Sequence, residues 1–485
     1  MNKPVRHVAV FSLLLVFAVL VRATWVQAAE AGSLDDNPHN RRLAIAAYSR
    51  PLGNILAGGT RLTGSTTTDG DLKYKRTYAD GELYAPVTGF SSQIYGSTQL
   101  ENLYKSVLTG TDSRLKSPSD VLTGKTPAPG DVITTIDPAV QKAAAKAMGG
   151  KTGAAVAIDP ATGAILGMVS TPSYDPGAFA GSSGADQKAW QALEKDTSKP
   201  TVNRALRQTF PPGSTFKLVV AAAALENGLY DSVDQPTDSP APYLLPGTRT
   251  YLPNEDTSAP CTNASIRTAL QYSCNNVFGH LAERLGQKKV AEQAEKFGFN
   301  DDKIDIPVRA AKSVYPTGMD AAQTALSGIG QFDDQATPLQ MAMVSSAIAN
   351  DGKLMTPRLV DRVTDGSSGV LEKSDPKEYS TAMSADTARQ LKSAMQTVVD
   401  KGTGSNAQID GLTVGGKTGT AQHGVDNSGT PYAWFVSYAQ NSEGKRIAVA
   451  VVIADSDAAR SDVSGNGLAA PVAKAMMSAA LAPGA

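Results

Sequence analysis

An α+β fold is predicted, with a mainly antiparallel central sheet covered by helices and a small amino-terminal module. Three observations support it. Strand-like runs stand early in the larger part of the chain, at Ala154–Ile158 and Ala164–Val169. Others stand near its end, at Leu412–Ala421, Ala433–Ala439 and Ile447–Ala454, with turn residues between them. The stretch between the two groups is helical in character, so strands from both ends enclose a helical insertion and build one antiparallel sheet beneath it.

The amino end comes first. Lys3 and Arg6 precede an uncharged apolar run from Val8 to Val21, which suits a signal segment and is short for a membrane span. Extended to about Ala29 it reaches spanning length, with Arg22 snorkelling to the interface. Residues 1–29 are therefore expected to be an uncleaved signal-anchor. The alternative is a signal peptide cleaved after Val26-Gln27-Ala28, and both readings export the remainder of the chain. Residues 30–130 are turn-rich and polar, with Gly, Thr and Ser clustered over Gly58–Asp71. This module is too short for a glycan-polymerising domain and is read as a pedestal or docking surface, a plain spacer being the other reading.

Thr126-Pro127-Ala128-Pro129-Gly130 marks a boundary, and residues 131–485 form the larger domain. It opens with Val132–Asp137, an alanine-rich helix from Ala139 to Met148, and a hairpin turning at Asp159-Pro160-Ala161-Thr162-Gly163. Pro211-Pro212-Gly213 is a turn signal ahead of the apolar run Leu218–Leu225, which Asn227-Gly228 closes, so a helix with a defined start and stop is expected here. A long proline-rich loop comes next, from Asp231 to Ala259, and loops of this length are usually functional. It is a candidate groove wall. A helix from Leu468 to Leu481 ends the chain.

Composition excludes some functions. The 485 residues carry 45 Lys plus Arg against 46 Asp plus Glu, so no basic field is available for nucleic acid. The four histidines, His7, His39, His280 and His423, lack ligand spacing, and neither a metal nor a cofactor is expected. Cys261 and Cys274 have two readings in an exported chain. They form a disulfide that ties the loop before Ser273 to its neighbours, or they are separate thiols with Cys274 a small buried residue.

Three short motifs carry the chemistry: Ser214-Thr215-Phe216-Lys217, Ser273-Cys274-Asn275 and Lys417-Thr418-Gly419, spaced by 59 and 144 residues. None is specific alone. S-x-x-K occurs four times, at Ser113, Ser214, Ser374 and Ser442; K-T-G occurs at Lys151 and Lys417, and S-x-N at Ser273 and Ser464. Context decides among them. Ser214 stands at the mouth of the expected helix, where unpaired N–H groups and the dipole favour negative charge. Lys217 lies one turn on, along the same face, and burial there lowers its proton affinity, as a proton acceptor requires. Ser374 has a proline within its motif, Ser442 stands in a polar turn, and Ser113 lacks an apolar helix. Lys417 follows a strand of small residues, whereas Lys151 precedes Ser214 in a turn.

These motifs, in this order, resemble those of the penicillin-binding proteins. The resemblance extends to Asn203-Arg204-Ala205, Gly330-Gln331, Ala336–Ala342, Gly415–Ala421 and Ala433–Val436, and so runs from about residue 131 to the end. Arg41-Arg42, Tyr74-Lys75-Arg76 and Gly96 to Glu101 resemble the amino-terminal module of the actinobacterial penicillin-binding protein A type. The resemblance implies a serine D,D-transpeptidase that crosslinks peptidoglycan stem peptides, expels D-alanine and is acylated by β-lactams. It implies Ser214 as nucleophile, Lys217 as proton acceptor, Ser273 as proton relay and Lys417 as cation for the donor's terminal carboxylate. Asn275, Thr418, Gly419 and Thr420 are implied to bind substrate. Cell-wall synthesis or division proteins are candidate partners of the amino-terminal module. A D,D-carboxypeptidase is the alternative reading; a β-lactamase, lacking E-x-x-L-N after Ser273, or a non-catalytic β-lactam sensor stands further off.

Overall fold

The computed structural model describes residues 3–30, 45–116, 120, 127–424 and 427–481. Arg41-Arg42, which contribute to the family resemblance, lie outside these.

The central sheet runs Thr413–Ala421, Tyr432–Gln440, Arg446–Asp455, Thr152–Ile158, Ile165–Thr171, with every neighbouring pair antiparallel. Its strands thus come from both ends of the larger domain, as expected. They are buried on both faces, which is why they read as continuous apolar runs. The period of two is visible in what each face touches. Ala155, Ala157, Val449, Val451 and Phe435 pack with Val140, Ala144, Val472 and Met476 of the helices Pro138–Met148 and Ala470–Leu481. Ala154, Val156, Ala450, Val452 and Val436 face the main core, beneath the helices Lys217–Glu226 and Pro338–Ala349. Those two helices are apolar all round because both are buried throughout most of their length. The last helix starts at Ala470, two residues later than predicted, after the turn Gly465–Ala469.

The strand after the Pro/Gly boundary, Asp131–Thr134, joins a second sheet instead. Its order is Val370–Lys373, Val360–Thr364, Asp131–Thr134, Ile55–Ala57, Thr60–Arg61. Ile55–Ala57 pairs parallel to Asp131–Thr134, so one sheet crosses from the amino-terminal module into the larger domain. The module holds the hairpin Thr63–Thr67/Tyr74–Tyr78 and the helix Gly81–Thr88. Arg76 and Glu101, two residues of the resemblance, form its buried centre: Arg76 Nε donates to Glu101 Oε1 at 2.6 Å and Nη1 donates to the Gly53 carbonyl at 2.5 Å. Phe90 packs edge-on against Tyr174, Phe179 and Trp190 of the larger domain.

The Asp231–Ala259 loop contains one two-residue hairpin, Tyr243–Leu244 with Tyr251–Leu252, and is pinned by the buried side chains of Tyr243, Leu245 and Leu252. Among the described residues one helix, Lys3–Trp25 continued by the turn Val26–Glu30, is long and apolar enough to cross a membrane, with mean hydropathy 2.2.

Candidate active site

The Pro211-Pro212-Gly213 signal builds a turn, and a single 3-10 turn, Gly213–Thr215, carries the chain into the helix Lys217–Glu226. Gly213 adopts φ +53, which favours glycine, and its N–H donates to the Gly330 carbonyl at 2.9 Å. Gly330 is itself at φ +71, and a Cβ there would lie 2.1 Å from the Gly213 carbonyl oxygen. Thr215 Oγ1 donates to the Pro212 carbonyl at 2.6 Å and Trp434 Nε1 to the Pro211 carbonyl at 2.9 Å. The nucleophile turn is thus clamped from two sides. Ser214 is buried except towards a groove of about 470 Å³, which it lines with Asn275 and Thr420.

Lys217 is fully buried. Its Nζ donates to the Ser273 carbonyl at 2.7 Å, Ser273 Oγ at 3.1 Å and Asn275 Oδ1 at 2.7 Å, and sits 5.7 Å from the centre of the Phe278 ring. Its hydrogen bonds thus all run across to the second motif. Among the described residues the Ser214 hydroxyl makes no hydrogen bond; catalytic contacts of this kind often close only around substrate.

Lys417 occupies the middle of the edge strand, opposite Val436. Its Nζ donates to Ser273 Oγ at 3.0 Å and the Thr418 carbonyl at 2.9 Å. Two buried amines therefore converge on one hydroxyl. Burial, first, and the neighbouring Lys417 charge, second, hold the Lys217 ammonium well below the usual lysine range. Burial brings Lys417 down to about 7, opposed by the Glu255 carboxylate. Both effects favour the neutral amine.

Ser273 takes φ +57 and Cys274 is disulfide-bonded to Cys261, with Cα atoms 5.6 Å apart. The Asn275 amide is engaged at both ends, its Nδ2 donating to the Pro253 carbonyl at 2.7 Å while its Oδ1 accepts from Lys217. Thr418 Oγ1 shares a 2.8 Å hydrogen bond with Thr403 Oγ1. Gly419 makes room for the nucleophile turn, since a Cβ there would meet Thr215 Cγ2 at 3.1 Å and the Pro212 carbonyl oxygen at 3.2 Å. Gly415 and Gly416 have another reason: the rings of Tyr438 and Phe435 fill the places where their side chains would be.

All three motifs thus meet at one place. Two of the other matches serve local structure. Lys151 Nζ caps the helix Pro138–Met148 through the Ala147 and Met148 carbonyls, and Ser464 Oγ accepts from Gly467 N–H in a turn. A larger cavity of about 980 Å³ lies where Gly81 and Glu82 of the module meet Lys151 and Thr171; its Lys151, Ser170 and Ser173 side chains donate to backbone carbonyls and not to one another. Sequence reasoning missed Thr403, Asn254 and Glu255. Asn254 Oδ1 accepts from the N–H groups of Asn275 and Asn276, at 2.7 and 3.2 Å. The long proline-rich loop was the signal for the last two, while nothing in the sequence pointed to Thr403.

Known proteins resemble both parts of the chain. Residues 153–478 match the penicillin binding protein transpeptidase domain, and residues 52–132 match the penicillin binding protein A dimerisation domain. The peptidoglycan D,D-transpeptidase PbpA of Mycolicibacterium smegmatis is 39% identical over 502 residues, with 100% of each chain covered. PbpA of Mycobacterium tuberculosis is 37% identical over 493 residues, covering 99% of each. The penicillin G acyl-enzyme complex of M. tuberculosis penicillin-binding protein A superposes with a TM-score of 0.81 at 37% identity, covering 89% of this chain and 100% of that one.

Proposed function

The chain belongs to the penicillin-binding protein transpeptidase family, and on that premise we propose that it crosslinks peptidoglycan stem peptides through an acyl-enzyme on Ser214. The observation that carries this reading is the convergence of Lys217 and Lys417 on Ser273 Oγ, beside the groove that Ser214 lines. It sets two buried amines, whose neutral forms burial favours, on one hydroxyl beside the groove that holds the nucleophile.

In this reading the Ser214 hydroxyl attacks the carbonyl between the last two D-alanine residues and gives its proton to the Lys217 amine. Collapse of the tetrahedral intermediate breaks the peptide bond, and Ser273, hydrogen-bonded to both amines, relays the proton to the departing D-alanine. Lys417 and Thr418 receive the donor's terminal carboxylate, with Thr420 a further contact and Gly419 giving the close approach. The backbone N–H groups of Ser214 and Thr420 hold the oxyanion; such donors contribute roughly 3–4 kcal/mol each. Asn275 orients Lys217, and its Nδ2 turns from Pro253 to the donor peptide. The strand Thr413–Ala421 is the edge of the central sheet, so an extended peptide adds to it as a further strand. An amine of a second stem peptide then attacks the ester carbonyl, forming the crosslink and freeing Ser214. β-Lactams acylate the same oxygen.

The proposed organisation is a single-pass anchor over residues 1–29, a pedestal over 30–130 and a transpeptidase domain over 131–485 outside the cytoplasm. The exposed apolar helix Lys3–Trp25 supports the anchor. The pedestal is a docking surface for other wall-building or division proteins, and its similarity to a dimerisation domain supports a protein partner there. Ser214→Ala is expected to abolish covalent labelling by a fluorescent penicillin and leave the circular dichroism spectrum intact. Stoichiometric labelling of the variant would remove Ser214 from the mechanism.

A further inference from the structure

Among the described residues Glu255 is the one charged side chain lining the groove in front of Ser214, whose apolar share comes from Leu252, Leu326, Ile329 and Phe332. Its side chain is exposed and has no hydrogen bond or ion pair among the described residues. Its backbone, by contrast, is held. The Pro253 carbonyl and the Asn254 side chain are fastened to Asn275 and Asn276, and the Cys261–Cys274 disulfide fixes the loop a few residues on. Glu255 therefore lines the groove from a pinned segment.

The groove thus has an anionic wall, while Lys417, proposed to receive the donor carboxylate, is buried and outside its lining. The wall suits an ammonium, and the apolar side chains beside it suit an aliphatic chain. We propose that Glu255 binds the acceptor of the transfer reaction: the primary ammonium at the end of an aliphatic diamino-acid side chain on the second stem peptide. This rests on the transpeptidase reading of the site. Glu255 makes and breaks no covalent bond. It concentrates the acceptor beside the ester on Ser214, and the amine attacks after giving up its proton to the lysine–serine cluster.

The test acylates the full chain with a D-alanyl thioester donor and measures transfer to two nucleophiles at neutral pH. One is an Nα-acetyl-lysine amide, which carries the ammonium; the other is hydroxylamine, which is uncharged. For Glu255→Gln the KM of the lysine acceptor is expected to rise about fivefold, the size of one exposed ion pair. The KM of hydroxylamine is expected to change by less than about twofold, and kcat for transfer at saturating lysine acceptor to stay within the same margin. Asp256→Asn, which removes the adjacent acid from outside the groove, is the control and is expected to move neither. An unchanged KM for the lysine acceptor, or an equal rise for both nucleophiles, overturns the proposal. A wild-type chain that is acylated yet transfers to neither nucleophile overturns the transpeptidase reading, and the proposal with it.

Discussion

Two amines donating to one hydroxyl tie the protonation of Lys217 to that of Lys417. Lys217→Ala removes the proposed proton acceptor and is expected to slow β-lactam acylation at least about 10²-fold, read by stopped-flow with a fluorescent penicillin. An unchanged rate would transfer the base role to another group. Lys417→Ala has a second, directional effect. The Lys417 charge is one cause of the low proton affinity of Lys217, so its removal lets Lys217 hold its proton to higher pH. The acid limb of the acylation–pH profile should move up in this variant, on top of a lower rate from the lost carboxylate site. A limb that stays or moves down contradicts the electrostatic coupling. The wild-type profile has its own signature. Burial brings Lys417 down to about 7, so the charge proposed to bind the carboxylate fades as pH rises through that value while a neutral Lys217 is favoured. Substrate binding should weaken on the alkaline side before the acylation step does.

At the scale of elements, the nucleophile turn is held by one contact that tolerates no side chain. Gly330→Ala places a Cβ against the Gly213 carbonyl and forces an L-residue to φ +71, so it is expected to cost at least about 1–3 kcal/mol by thermal melting and to depress acylation. A melting temperature equal to wild type would mean that the turn yields freely. Gly330 was legible in the sequence only as part of a resemblance; its physical reason needed the backbone of Gly213 alongside. Much else was legible for local reasons. The helix after Ser214 declared itself through Pro212-Gly213 before it and Asn227-Gly228 after it, and the sheet strands through apolar runs between turns. The convergence of Lys217 and Lys417 on Ser273 was not, because it depends on where segments 56 and 144 residues apart in the chain come to rest. Thr403 stayed hidden for the same reason: a short polar side chain in a loop carries no local signal of what it will touch.

For the molecule as a whole, the sheet that runs from Ile55–Ala57 through Asp131–Thr134 to Val360–Thr364 binds module and catalytic body into one unit. Calorimetry is expected to show them melting together. Glu101→Ala, which leaves the buried Arg76 guanidinium without its carboxylate, should destabilise that common transition by about 3–5 kcal/mol. A separate, early transition for the module alone would show the two parts to be independent. The parallel pairing of Ile55–Ala57 with Asp131–Thr134 also decides how the protein bears load. A pull applied along the strand axis loads the three paired residues in shear, so they give way together. A zipper geometry would let them peel one by one. With its amino end held by the proposed anchor, an enzyme so built keeps its shape under tension until the whole seam slips.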